Sequence, residues 1–282
     1  MRFRRTRKQR GGLFGLFESP TNDDTPLCQC PKNADEDPCK NPVVKDTLFC
    51  KDHQDCKAPE LSDEMPYRPE LYQPWDIKLS HNCLAYALRV LDKNAIQHCR
   101  TSKKNCRNEF RQPGNQSGNR NGLSKDSRLK CPIVEAMLLK DYPTIQKSTF
   151  YKPCPRGFRK IAGVVDKGND HHWYARHSNG ETEEEYGLWD HKSGELDVTT
   201  RDAQGQLIFN PRQAARDYTK KNRSNLNYED FCGFYCVPVP PRGQPVTIEE
   251  GRHRRESMRR QRQESRRPQR RKSRRRQRRG RK

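Results

Sequence analysis

Residues 252–282 hold eighteen lysines and arginines against two acids, and residues 1–10 hold six against none. These two blocks carry the whole excess of a chain whose net charge is +22. Between them, residues 11–251 balance 34 bases with 34 acids. Like charges at that density repel, and neither block has the apolar residues to bury a core. A disordered basic arm over 1–20 and a disordered Arg-rich tail over 241–282 are therefore predicted. Whatever folds must fold from the neutral body. The stretch 252–282 contains no aromatic residue, so base stacking is not its mode of binding. Contact with phosphates, releasing their counterions, is. DNA or RNA, bound with little base preference, is the expected partner of the tails. Such Arg-rich tracts also serve as nuclear or nucleolar addresses.

Only 30% of the chain is hydrophobic, and no apolar run approaches the ~20 residues of a membrane helix. The basic start lacks the ~7–15 apolar residues of a signal peptide, because Gly11–Phe17 is short and glycine-rich. An intracellular protein with reduced thiols is expected. Five of the twelve cysteines fall between 28 and 56, as Cys28-x-Cys30, Cys39 and Cys50-x-x-His53-x-x-Cys56. In a reduced chain such density points to metal, with a disulfide cluster as the competing reading. Zinc takes four soft ligands in a tetrahedron, and a Cys-x-x-His pair at a turn supplies two. The predicted set is Cys30, Cys39, Cys50 and His53. Cys28 is the substitute for Cys30, and Cys56 the substitute for His53. With almost no core, the 21–57 segment would draw its folding energy from the structural zinc. Its pattern resembles the small cysteine–histidine knuckles appended to proteins of large DNA viruses.

Residues 58–74, with Pro59, Pro66, Pro69 and Pro74, read as a linker. Over 75–240 the pattern predicts an α+β domain, a helix packed on a small antiparallel sheet. Leu84, Ala87, Leu88 and Leu91 make one apolar helical face after a possible cap at Ser80 or Asn82. Cys83 then sits in the first turn, where free backbone N–H groups favour a thiolate. Residues 99–130 read as a long polar loop, and 131–140 as a second helix with Pro132 at its start. Strands are expected over 158–165, 170–177, 185–191, 195–199 and 231–237, with a short helix over 211–218. The cysteines at 99, 106, 131, 154, 232 and 236 read as packing or loop residues.

A turn at Ser178-Asn-Gly-Glu181 would set residues whose numbers sum to 363 opposite each other. His172 and His191 would then face one another, with Asp190 on the opposite face and in contention if the register slips by one. A thiolate needs an imidazole beside it, and the imidazole needs a third group to hold its ring. Asn82-Cys-Leu-Ala-Tyr-Ala-Leu88, His172-Trp-Tyr-Ala-Arg176, Trp189-Asp-His-Lys-Ser-Gly194 and Phe231-Cys-Gly-Phe-Tyr-Cys236 resemble a family found in bacteria and large DNA viruses. That family is similar to the papain-like superfamily of thiol peptidases and cell-wall amidases. The resemblance covers roughly 80–238. It implies Cys83 as nucleophile, His172 as base and His191 as the residue orienting its ring. Gln112-Pro-Gly114 also looks like a family segment lining the cleft. Leu84 stands where the family has Tyr, and Asp-His-Lys-Ser-Gly replaces Ser-His-Lys-Pro-Gly.

The expected function is thus a papain-like cysteine peptidase or amidase of a large DNA virus, acting on a peptide or isopeptide bond. It would be held at nucleic acid by its tails, in the host nucleus or the virion. The alternative is a non-catalytic structural or nucleoprotein-associated viral protein that binds nucleic acid.

Overall fold

The computed structural model describes residues 25–33, 36–102, 106–118, 129–179, 187–220, 224–241 and 245–248. The arm over 1–20 and the tail beyond 248 lie outside them. Six antiparallel strands form the central sheet in the order β2-β7-β3-β4-β5-β6. They are β2 (Gln146–Ser148), β3 (Phe158–Asp166), β4 (Asp170–Arg176), β5 (Trp189–Lys192), β6 (Val198–Thr199) and β7 (Asp230–Pro238). Helices α1 (Trp75–Ser80), α2 (Cys83–Ala87), α3 (Lys93–Ser102) and α4 (Cys131–Asp141) accompany it. A second ladder pairs β1 (Val90–Asp92) in parallel with β8 (Val246–Ile248). The fold is α+β, as the pattern predicts.

Strand alternation sorts the sheet into two cores. On one face Ile161, Val165, Trp173, Ala175 and Tyr235 pack with Leu84 and Ala87 of α2 and Val134 and Leu138 of α4. On the other, Ala162, Val164, Tyr174 and Phe234 meet Trp189, Ile208, Phe209 and Tyr228. Gly163 lies opposite Trp173, and a Cβ there would stand 2.6 Å from the indole ring. The glycine lets that ring lie flat across β3.

Several expectations are corrected. The helix at Cys83 ends at Ala87, because Arg89 turns to φ 54° and sends the chain into β1. That backbone is held by Arg89 itself, stacked over Tyr86 and paired with Asp190 at 3.3 Å. The 99–130 stretch starts inside α3, which the Cys99–Cys106 disulfide ties to a 3-10 turn at Cys106–Glu109. Residues 211–218 form turns and a bridge, Asp217 to Asn227, rather than a helix. The 58–74 segment is packed on the body: Tyr72 is buried, and Arg176 donates to the carbonyls of Pro59 and Glu60. Residues 246–248, assigned to the tail, are a strand.

The expected reduced thiols are also corrected. Eight cysteines pair as Cys30–Cys56, Cys99–Cys106, Cys131–Cys232 and Cys154–Cys236. The last two lock β7 to α4 and to the loop before β3. Buried cations brace further loops. Lys160 Nζ donates to the carbonyls of Thr149, Phe150 and Lys152. Lys192 Nζ does so to Lys78, His81 and Gly194. Each satisfies a buried ammonium with carbonyl dipoles.

Candidate functional site

Four free cysteines remain, and three of them converge with a histidine. The ligand atoms of Cys28, Cys39, Cys50 and His53 all lie within 4.8 Å of one another. His53 Nδ1 is 3.3 Å from Cys28 Sγ and 3.4 Å from Cys50 Sγ, and Cys39 Sγ is 3.8 Å from Cys50 Sγ. A tetrahedron with metal–sulfur bonds of about 2.3 Å and metal–nitrogen bonds of about 2.0 Å has edges of about 3.8 and 3.5 Å. The residues therefore fit a metal ion. Burial pushes the Cys28 thiol up to about 12, a shift that a divalent cation on the sulfur reverses. The predicted set is corrected at one position. Cys30 is in the Cys30–Cys56 disulfide, and Cys28 takes its place. The 3-10 turn at Lys51–His53 delivers Cys50 and His53 together.

The second candidate site lies where β5 stops short along β4. Pairing between them covers only 174–176 on β4, so the edge at 171–173 is open to the start of α2. Asn82 caps that helix, its side chain accepting from Ala85 N at 3.2 Å. Its amide donates to Arg111 O. Cys83 Sγ donates to His171 O at 3.7 Å. The amides of Trp173 and Leu84 favour its ionised form, but burial dominates and pushes the thiol well up. The expected lowered thiol is therefore absent in this arrangement. Among the described residues no hydrogen bond joins Cys83 to His172.

His172 and His191 do meet, at 2.8 Å from Nε2 to Nδ1. The register differs from the expected one: Tyr174 faces His191, Ala175 faces Asp190 and Arg176 faces Trp189. Of the expected turn, residues 180 and 181 lie outside the described residues, while the Ser178 N–H donates to Met65 O and the Asn179 side chain accepts from Tyr67 N. The slip is two residues, which preserves side-chain parity. His172 and His191 thus stay on one face as diagonal neighbours, and Asp190 stays on the other with Arg89 and His177.

Their proton positions follow from one carbonyl. His191 Nε2 meets Arg201 O at 2.9 Å, and a carbonyl only accepts, so Nε2 carries the proton. His191 Nδ1 is then an acceptor, and His172 Nε2 must donate to it. His172 is left with Nδ1 as its basic nitrogen. Burial holds both rings neutral, with His191 lowering His172 further. A parallel relay runs beside it: Trp173 Nε1 donates to His171 Nδ1 at 3.0 Å, and His171 Nε2 donates to Gln112 Oε1 at 2.6 Å. The spacing rules reveal neither Arg201 nor Lys192, because each acts through backbone carbonyls. Tyr228 was missed too; its ring lies 5.4 Å from His172 and its hydroxyl donates to Asp170.

What these features define is a disulfide-braced α+β domain carrying a metal-competent knuckle and a paired-histidine relay beside a helix-start cysteine. The chain is 26% identical over 171 residues to Insoluble matrix shell protein 1 of Ruditapes philippinarum, across 61% of this chain and 88% of that protein. No family model matches it, and no solved structure does.

Proposed function

We propose that this protein is a papain-like thiol hydrolase of peptide or isopeptide amides, with zinc in its knuckle and nucleic acid on its tails. The observation that carries the reading is the carbonyl–His191–His172 chain, which holds the imidazole in the tautomer a base requires. In the proposed reaction Cys83 attacks the amide carbon as its proton passes to His172 Nδ1. The C–N bond breaks, the leaving amine takes that proton, and water hydrolyses the thioester. Lys192 holds the turn before Cys83 through the His81 carbonyl. Incubation with p-nitrophenyl acetate, followed by intact-mass analysis, should give one acetyl group on Cys83 and none in His172→Ala. Acetylation at other cysteines only would end the enzyme reading.

Three thiolates and one imidazole suit zinc better than calcium or magnesium. For the tails, deleting 252–282 should flatten the salt dependence of DNA binding, each phosphate contact contributing ~0.9 to the slope. An unchanged slope would assign binding to the body.

A second reading, a non-catalytic structural protein, is favoured by the buried thiol and by the partial match to a shell matrix protein. Disulfides persist in oxidising settings, virion surfaces among them. They support a virion or extracellular setting over the nucleus.

A further inference from the structure

Gln29 stands between the ligand Cys28 and the disulfide cysteine Cys30, yet its side chain bonds to the body rather than to the knuckle. It is 3% exposed, and an amide so buried must find its partners inside the protein. It finds them all within 207–210. Phe209 N and Asn210 N donate to its Oε1 at 2.7 and 3.1 Å, and its Nε2 donates to Leu207 O at 2.8 Å. An amide tip, carrying acceptor and donor together, satisfies both kinds of partner. A second link runs alongside. Phe49, which precedes the ligand Cys50, sets its ring edge-on to Phe209 at 4.9 Å between centroids. Two metal ligands thus each have a chain neighbour fixed on the same short segment.

That segment holds the anchor of the histidine relay. Leu207 bridges Arg201, Ile208 N donates to Thr200 O, and Asp202 N donates to Gln206 O. Residues 200–202 are therefore pinned against 206–208. Arg201 O is the carbonyl that accepts from His191 Nε2, and His191 Nδ1 accepts from His172 in turn. Trp189 N donates to Ile208 O, so the same segment also seats the start of β5, two residues before His191. A contiguous path leads from the neighbour of Cys28 to His172, through the Gln29 amide, the Leu207–Arg201 bridge and the His191 ring.

We infer that Gln29 is a positioning residue for the Cys83 site: it holds 207–210, and through them the Arg201 carbonyl, so that the His191 tautomer depends on whether the knuckle is metal-bound. With Cys28 and Cys50 on one ion, Gln29 and Phe49 have fixed anchors. Without a shared centre for those ligands, both clamps loosen, and the carbonyl that sets the tautomer shifts with them. As regulation of an enzyme, the inference rests on the thiol-hydrolase reading. As coupling between the knuckle and His191, it does not.

The test compares the full-length, zinc-loaded protein with Gln29→Met, which keeps the length and packing of the side chain and removes its hydrogen bonds to 207–210. Bound zinc should stay at about one per chain, showing the ligands intact. Long-range nitrogen–proton NMR spectra should give His191 as a single Nε2–H tautomer in wild type and as a mixture in Q29M. Alkylation of Cys83 by iodoacetamide at about pH 7 should slow about tenfold. The double variant Q29M/H191A should be no slower than H191A, because Gln29 acts through that ring. Removing zinc from wild type with EDTA should reproduce the Q29M histidine spectrum while the Trp173 indole signal, from the other face of the sheet, is unchanged. Zinc-loaded Q29M with the wild-type tautomer would overturn the inference. Additive losses in the double variant, or an unaltered His191 after zinc removal, would do the same. If Q29M does not fold, the zinc-removal spectrum decides alone. If Cys83 alkylation in wild type is indifferent to His172→Ala, the enzyme reading falls and the His191 tautomer still decides the coupling.

Discussion

The knuckle and the β4 edge both combine cysteine with histidine, on opposite geometries. In the knuckle, Cys28, Cys39, Cys50 and His53 converge on a single point. At the β4 edge, the groups string out in a line from Arg201 O through His191 to His172, with Cys83 beside the strand. A point suits a metal ion, whose charge gathers lone pairs. A line suits proton transfer, because each hydrogen bond fixes the next tautomer. The same two residue types therefore announce different chemistry through arrangement alone. The first has half-buried His53 near solvent, whereas Cys83, His172 and His191 are exposed by only 4%, 2% and 1%.

The largest effect should come from breaking the point. Structural zinc contributes about 10–16 kcal/mol in small metal-folded units. Cys28→Ser or Cys50→Ser should take bound zinc, measured by plasma mass spectrometry, from about one per chain to near none. Cys30→Ser should retain it. The reverse pattern at 28 and 30 would restore the ligand set expected from sequence.

Next in size is the pair behind the line. Asp190 is fully buried against Arg89, so Asp190→Ala leaves a charge unpaired and should cost about 3–5 kcal/mol in urea unfolding. Acylation of Cys83 should survive it. His191→Ala should do the opposite, sparing stability more than reactivity. If Asp190→Ala abolishes acylation in protein that is still folded, Asp190 serves the relay.

A smaller effect is expected from acid. Burial lowers His81 to about 4 and lowers His171, His172 and His191 as well. Their unfolded counterparts take up protons near 6.5 while the folded rings stay neutral. Stability is therefore intact above 6.5 and lost as pH falls from 6.5 towards 4. Histidine ring signals followed by NMR should show these four still neutral at pH 6. A ring among them titrating near 6.5 would contradict its burial.

The long strands β3, β4 and β7 and the helix α4 were legible because each carries its pattern within its own residues. The end of α2 was not: Arg89 adopts its turn through an ion pair with Asp190, 101 residues later. Nor was the hairpin register, since Ser178 and Asn179 are bonded to 65–67, a segment that composition marks as a linker. The relay was legible in part. Parity survived the slip, so His172 and His191 meet although they are not opposite. Cys28 and Cys30 sit two residues apart with equal reach, and only the partner chosen by Cys56 separates them. Disulfide pairing has no local signature, so β7's two cysteines read as packing.

The most direct test is the pH profile of Cys83 alkylation by iodoacetamide, with adducts assigned by peptide mass spectrometry. If His172 Nδ1 takes the thiol proton, the wild-type rate follows the imidazole and levels off by about pH 7. In His172→Ala it should follow the buried thiol alone and stay low until well above pH 9. Identical profiles for the two proteins, both rising only in alkali, would contradict a base at Cys83 and leave the β4 edge as packing.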